Sequence, residues 1–456
     1  MIKVSRGKRH GLKDTLIKME RLYSRKYGLV NHLITSDLRH LQVIDGANRY
    51  TVGSTIPVYL TIASRNQDID SEPGGAASLI RDKSRVKALG EFMERTCGFI
   101  ENNVEASNAM CCDNYLNMKS RGMECVSVDE LVHYGDLLYN DPAFPFDKVC
   151  RSTSIKWFKG FDLNSFMPVW LPAQKVYLTR QFIDEKLYCY GLSTGLACGE
   201  NLYHAALGAI YEVIERDSFM LTWLLSLPGV RIDMDTIRCK ELKETYKHIN
   251  KHLTGKDRLY IYDISRTDGI FTVMTYFRND LPNAFGLIVA AASHVRPETA
   301  ILKSLEELCQ TQHFAYSHFY KDEKKEMQSL RKEEINTLHK HTFYYSTGHR
   351  SKNIDFISRD DKCIKLSDMS DKTFTGYEDE LDYIRDCLMK KNCYAYLADI
   401  TLPEFRGLGF CVVKAIIPGY NDLTPNHNFR ELCNPRLLTH QIASGNPLTD
   451  NPHPFP

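Results

Sequence analysis

GLSTGLACGENLYHAALGAIYEVIERDSF, residues 191–219, changes character part-way along. Its first nine residues are glycine-rich and read as a turn. From Leu202 onward apolar residues recur at helical spacing, and the pattern holds to about Leu225. Asn201 stands where a helix N-cap belongs. Inside this apolar pattern Glu212 and Glu215 lie three residues apart, with Arg216 directly after. Residues at i, i+3 and i+4 share a helix face, so the two carboxylates project together. Leu207, Ile210, Val213, Ile214 and Phe219 flank them.

The same device occurs twice more. GEFMERT, residues 90–96, places Glu91, Glu94 and Arg95 in a helical pattern over about 84–97. PETAILKSLEELCQTQHF, a third helical pattern over roughly 297–315, sets Glu307 three residues before Gln310, with Pro297 in its first turn. Paired carboxylates among apolar residues repel each other and resist burial unless a cation compensates. One reading is therefore Mg²⁺ held by glutamates and bridging to nucleotide phosphates, with arginine as a phosphate fork. The other is a set of solvated surface ion pairs, worth a few tenths of a kcal/mol each. Gly195 and Gly199, just before the second helix, can turn backbone N–H groups toward an anion. No GK[ST] loop and no GxGxxG occurs, so Walker-type and Rossmann sites are unsupported.

Around these helices the chain alternates strands and helices. TVGSTIPVYLTIASR at 51–65 reads as strand, and SEPGGAAS at 71–78 as turn. WFKGFDL and MPVWLPAQKVYL are strands, the second with prolines that suit a sheet edge. LYIYDISR, FTVMTYFRN and AFGLIVAAASH follow as three strands in succession. A charged stretch occupies 320–380, a helix lies near 378–389, and NCYAYLADI and FCVVKAIIPG are strands. The tail from Tyr420 is rich in Asn, Pro and His. The expected class is α+β, with mixed sheets covered by helices. Residues 1–64 form an N-terminal mixed region and 65–456 the main domain.

The 456 residues carry 58 basic and 57 acidic side chains, a net charge of +1. Nothing in that balance calls for nucleic acid or an anionic membrane surface. No apolar run reaches the length of a membrane span, and the basic N-terminus lacks the apolar segment of a signal peptide. The 14 cysteines include no CxxC pair, and no HExxH occurs, so a zinc centre has no support. Buried thiols in a reducing cytoplasm are the expectation.

PHPFP, residues 452–456, ends the chain on alternating prolines. Proline fixes φ and stiffens such a tail into an extended form, rising about 3.1 Å per residue. A stiff tail can hold its terminal carboxylate, ionised at neutral pH, at a defined point.

Taken in order, GGAAS at 74–78, KALGEFMER at 87–95, the 191–219 stretch, SLEELCQTQ at 304–312, VVKAIIPG at 412–419 and PHPFP resemble YcaO-domain proteins. The likeness is to the cyclodehydratase component of azoline-forming peptide maturases, and it covers about residue 65 to the end. It implies a YcaO fold with a non-Walker ATP site, in which helix glutamates hold Mg²⁺. By position, Glu91, Glu94, Glu212, Glu215 and Glu307 correspond to the metal-binding carboxylates. Those residues with Arg95, Arg216 and Gln310 correspond to the nucleotide site. The resemblance also implies catalytic roles for Arg95, Arg216 and the carboxylate of Pro456. Departures fall at Gln312, often arginine, at Gly74-Gly75-Ala76, at Thr194-Gly195 and at Lys414, commonly arginine.

The implied activity is ATP-dependent conversion of Cys, and of Ser or Thr, in a ribosomal precursor peptide to thiazoline or oxazoline. The implied partners are that peptide, a separate E1-like (ThiF-like) leader-binding protein and a flavin-dependent azoline dehydrogenase. Thioamidation, macroamidine formation and a non-catalytic scaffold role are the alternatives.

Overall fold

Seventeen of the 23 residues in the helix Leu202–Leu224 are buried. A helix apolar nearly all round must be covered on every side. The computed structural model describes residues 11–37, 42–45, 48–51, 56, 58–65, 74–99, 110–178, 185–253, 258–280, 285–319 and 324–456, and within them two sheets supply that cover. One is antiparallel, in the order Cys111–Asn114, Ser154–Asp162, Tyr396–Asp399, Cys411–Ile416, Leu196–Gly199, with Pro168–Pro172 also paired to Ser154–Asp162. The helix packs on its last two strands. The other sheet runs Leu287–His294, Phe271–Arg278, Arg258–Asp263, Val230–Asp233, Cys363–Lys365, and only its last pair is parallel. All eight residues of Leu287–His294 are buried, because Leu202–Leu224 and the helix Pro297–Phe319 both pack on that strand. The alternation of strands and helices thus closes into the α+β arrangement expected.

A third sheet joins His32–Asp37, Tyr59–Ser64 and Gly74–Ser78, all antiparallel. The helix Arg81–Gly98 folds back onto it. Gly74 permits the close approach: a Cβ there would lie 2.2 Å from the Ala88 carbonyl oxygen. Arg81–Gly98 also reaches Leu196–Gly199, and Pro297–Phe319 reaches Gly74–Ser78. The three glutamate-bearing helices therefore converge on two neighbouring strands.

Three sequence expectations need correction. Residues 74–78, read as turn, form a strand, while the remainder of that stretch, 71–73, lies outside the described residues. The glycine-rich segment 191–199 turns only at its middle, where Gly195 takes φ +77°, and Leu196–Gly199 is already a strand. MPVWLPAQKVYL, read as strand, is strand over Pro168–Pro172 and a short helix over Ala173–Val176; the tail, read only for its composition, holds a helix, Pro435–Ser444, started by Asn434 as cap and stopped by Gly445 at φ +68°. Asn201 does cap its helix, accepting from the His204 N–H at 2.9 Å. Among the described residues no helix is long and apolar enough to cross a membrane.

Candidate functional site: buried carboxylates beside the C-terminal tail

The first helix presents Glu91 and Glu94 to two different strands. Glu91 Oε2 accepts from Gly75 N at 2.8 Å, and Glu94 Oε1 accepts from Cys198 N at 2.7 Å. From the third helix, Gln310 Nε2 donates to the Gly75 carbonyl at 3.0 Å. Gly75 is thus gripped on both polar groups by side chains from two helices. Arg95 lies 3.4 Å from Glu91, and Arg216 lies 3.4 Å from Glu212 and 3.5 Å from Glu215. Each arginine is one turn past its acid, the spacing read from sequence.

The carboxylates feel each other. Burial pushes Glu94 up to about 8, with help from Glu91 and Glu212. Burial likewise raises Glu212, against the pull of Arg216, Lys414 and Arg95. Glu215 is driven well above the carboxylate range by burial and by the charges of Glu307 and Glu212. Glu307 is raised by burial, with Lys87, Arg216 and Lys303 opposing. Four acids from three helices therefore share one low-dielectric region.

Two lysines in this region escaped the sequence reading. Lys87 sits four residues before Glu91 and Lys303 four before Glu307, the spacing that would have revealed them. Burial disfavours the Lys87 ammonium, but Glu306 and Glu307 outweigh it and raise its pKa. Burial lowers Lys303 despite Glu307. Glu306 itself is spent elsewhere, accepting from Ser78 Oγ at 2.7 Å and pairing with Lys83 at 3.0 Å.

The C-terminal tail docks beside the acids. Tyr345 Oη donates to the Pro452 carbonyl at 2.6 Å, and Trp223 Nε1 to that of Asn451 at 3.0 Å. His341 Nδ1 donates to the His453 carbonyl at 3.0 Å, and the two imidazoles stack at 3.8 Å. Phe455 packs on Phe219 at 4.7 Å between ring centroids, and the Arg216 guanidinium lies 4.3 Å over the same ring. Pro456 directly follows Phe455, the residue whose ring Arg216 covers.

The site's fit to Mg²⁺ and a nucleotide can be tested on these atoms. Among the described residues no three His, Cys, Asp or Glu side chains already form a group able to hold a metal. Mg²⁺ does not require one, since it keeps several waters and takes one or two carboxylates plus phosphate oxygens. Glu215 Oε1 and Arg216 Nε and Nη1 are buried without a hydrogen-bond partner. Buried polar atoms are normally paired. Mutually repelling carboxylates and guanidinium donors with hydrogen bonds still to make suit a divalent cation and an oxyanion respectively. The donor set fits.

A family model described as YcaO cyclodehydratase, ATP- and Mg²⁺-binding, matches residues 78–421. The chain belongs to the YcaO family. Among solved structures it resembles a heterocyclase in complex with substrate and cofactor, at TM-score 0.73 and 17% identity over 99% of this chain. The chain spans 58% of that heterocyclase's length. It also resembles the YcaO protein of Methanopyrus kandleri bound with AMPPCP and Mg²⁺, at TM-score 0.62 and 18% identity, covering 91% of this chain and 92% of the other. A chain of the E. coli microcin synthetase McbBCD complex with pro-MccB17 bound matches at TM-score 0.52 and 16% identity, covering 86% and 87%. At these identities the likeness is one of fold. An uncharacterized protein of Methanothermobacter thermautotrophicus is 24% identical over 276 residues, 59% of this chain and 66% of its own length.

Proposed function

We propose that this YcaO protein is an ATP-dependent peptide cyclodehydratase that forms thiazoline or oxazoline rings in a ribosomal precursor peptide. The observation that carries the proposal is the docked tail: the Phe455 ring lies under the guanidinium of Arg216, on the helix that bears Glu212 and Glu215. Family membership and the similar structures support it: one is a heterocyclase with substrate and cofactor, another is bound with AMPPCP and Mg²⁺.

In this reading a Cys, Ser or Thr side chain of the peptide attacks the carbonyl of the preceding residue. The new oxyanion attacks the γ-phosphorus of ATP, ADP leaves, and loss of phosphate closes the C=N bond. The net change is one water removed per ring and one ATP split to ADP and phosphate. Glu94, Glu212, Glu215 and Glu307 would hold Mg²⁺, and Glu91 fixes the Gly75 strand beside them. Bound Mg²⁺ would offset charge on the phosphates. Arg216 and Arg95 orient the carboxylates and offer donors to phosphate. The Pro456 carboxylate would take a proton from the attacking side chain or the amide nitrogen. No cysteine of the protein is required, and burial holds the Cys198 thiol protonated.

A separate leader-binding protein and a flavin-dependent dehydrogenase are the partners this reading calls for. The test is the intact mass of candidate precursor peptides incubated with the protein, leader-binding partner, Mg²⁺ and ATP. Loss of water in whole steps, matched by phosphate release, is the expected result. Replacement of oxygen by sulfur would point to thioamidation instead. ATP binding with no change of peptide mass would remove the cyclodehydratase assignment.

A further inference from the structure

Next to the acid cluster, on another stripe of the same helix, lies an open cleft with a cavity of about 40 Å³. Leu131, Leu192, Val213 and Tyr420 wall it, and Lys175, Lys414 and Asp422 supply its charge. Lys414 is only 4% exposed. Its ammonium donates to the carbonyls of Leu192 at 2.5 Å and Thr194 at 2.6 Å. An ammonium has three donors, so one remains after these two bonds.

The nearby carboxylates are committed. Asp422 pairs with Lys175 at 3.0 Å, and Glu212 pairs with Arg216 at 3.4 Å. Among the described residues no carboxylate lies within ion-pair distance of Lys414. Two lysines and one aspartate line the cleft, with Glu431 beside Lys175 and Glu212 behind Lys414, and none of these carboxylates pairs directly with Lys414. A buried cation without a counter-ion is costly, and apolar walls strengthen its pull on any anion that enters. The two carbonyl bonds fix the nitrogen in place, as a pre-set donor to a developing charge must be.

We propose that Lys414 is an anion-binding residue: at the cleft floor its ammonium holds a negatively charged oxygen, either of the substrate's reacting amide or of a nucleotide phosphate. The choice between those sources rests on the cyclodehydratase reading; the anion site itself does not.

The first arm needs neither nucleotide nor peptide. Inorganic phosphate at about 10 mM, without metal, is added to the wild type, Lys414→Arg and Lys414→Gln, and melting is followed. Glutamine keeps a donor for the Leu192 or Thr194 carbonyl and loses the charge, so it separates anion binding from a loop clamp. Phosphate should raise the melting temperature of the wild type and the arginine variant by about 2 °C or more and that of the glutamine variant by clearly less. Lys414→Met, which preserves the aliphatic stem, takes its place if the glutamine variant does not fold.

The second arm finds the source. A drop of about tenfold or more in Mg²⁺·AMPPCP affinity in the uncharged variant assigns the oxygen to the nucleotide. Unchanged AMPPCP affinity with peptide-dependent ATP hydrolysis reduced about a hundredfold assigns it to the amide. Equal phosphate stabilisation of wild type and uncharged variant, or no stabilisation of either, would overturn the proposal. A wild type that responds to phosphate through Lys414 yet never turns over peptide would sink the cyclodehydratase reading and leave the anion site standing.

Discussion

Phe455→Ala isolates what the tail does. The ring is 3% exposed and has two specific partners, Phe219 at 4.7 Å and the Arg216 guanidinium at 4.3 Å. Truncating a buried phenylalanine to alanine costs about 3–5 kcal/mol, with the ring pair and the cation–π contact inside that figure. The loss falls on docking of the chain end, because only the last residues need move. The upstream anchors survive: Trp223, Tyr345 and His341 still hold the carbonyls of residues 451–453. Taking about 3 kcal/mol, the docked population of the end falls by more than about a hundredfold. Amide exchange at position 455, read by mass spectrometry, should accelerate by that factor while exchange at His453 changes little. Peptide-dependent ATP turnover should fall at least about tenfold, with Mg²⁺·AMPPCP affinity within about threefold of wild type. Wild-type protection at position 455 would refute the packing argument. Lost protection with wild-type turnover would refute the catalytic role of the tail.

Glu215→Gln removes a carboxyl that burial, Glu307 and Glu212 already disfavour as an anion. Its melting temperature should equal or exceed that of the wild type, while ATP turnover falls by about a hundredfold or more; full turnover would take Glu215 out of the site. Asp217→Asn breaks a buried pair with Arg436, 2.8 Å away. It should cost about 3–5 kcal/mol in chemical denaturation, because the guanidinium stays buried without its counter-ion. Acidification should loosen the tail: burial pushes His453 down to about 3 and His427 to about 4, and holds His341 well below its ordinary value. These rings are neutral when folded and take a proton near pH 6.5 when unfolded. Their contribution is complete above that value and is lost as pH falls from there toward 3–4, at up to about 1.4 kcal/mol per ring per pH unit. Exchange at Asn451, His453 and Phe455, corrected for the intrinsic rate, should therefore be faster at pH 5 than at pH 7.5, and equal protection would contradict the assignment.

The long helices were legible because their signals are local. Apolar periodicity, Asn201 as cap and Pro297 in the first turn all lie within a few residues of what they specify. The glutamate pairs were legible for the same reason. Gly74–Ser78 was not, since its Gly74 answers to the Ala88 backbone of another element. The helix Pro435–Ser444 did have local signals, Asn-Pro at its start and Gly445 at its end, but a polar, proline-rich tail masked them. No spacing rule could have joined Lys175 to Asp422 or Lys414 to Thr194, which are 247 and 220 residues apart.

One helix explains why fold and candidate site are read from the same stretch. Packed between two sheets, Leu202–Leu224 has little room for polar atoms, and the helical period sorts those it carries. Glu212, Arg216, Phe219 and Trp223 form one stripe, toward the tail. Val213, Asp217, Met220 and Leu224 form the next, where Asp217 holds Asn421 at 2.7 Å and Arg436 at 2.8 Å. Tyr211 donates to Glu380, Ser218 accepts from Thr272, and Thr222 accepts from Arg266. From Tyr211 to Trp223, the side-chain atoms buried without a hydrogen-bond partner are Glu215 Oε1 and Arg216 Nε and Nη1. A helix that hydrogen-bonds its other buried polar side chains here leaves this acid and this guanidinium sharing only a long ion pair of 3.5 Å. Their unmet hydrogen bonds mark where a charged ligand belongs.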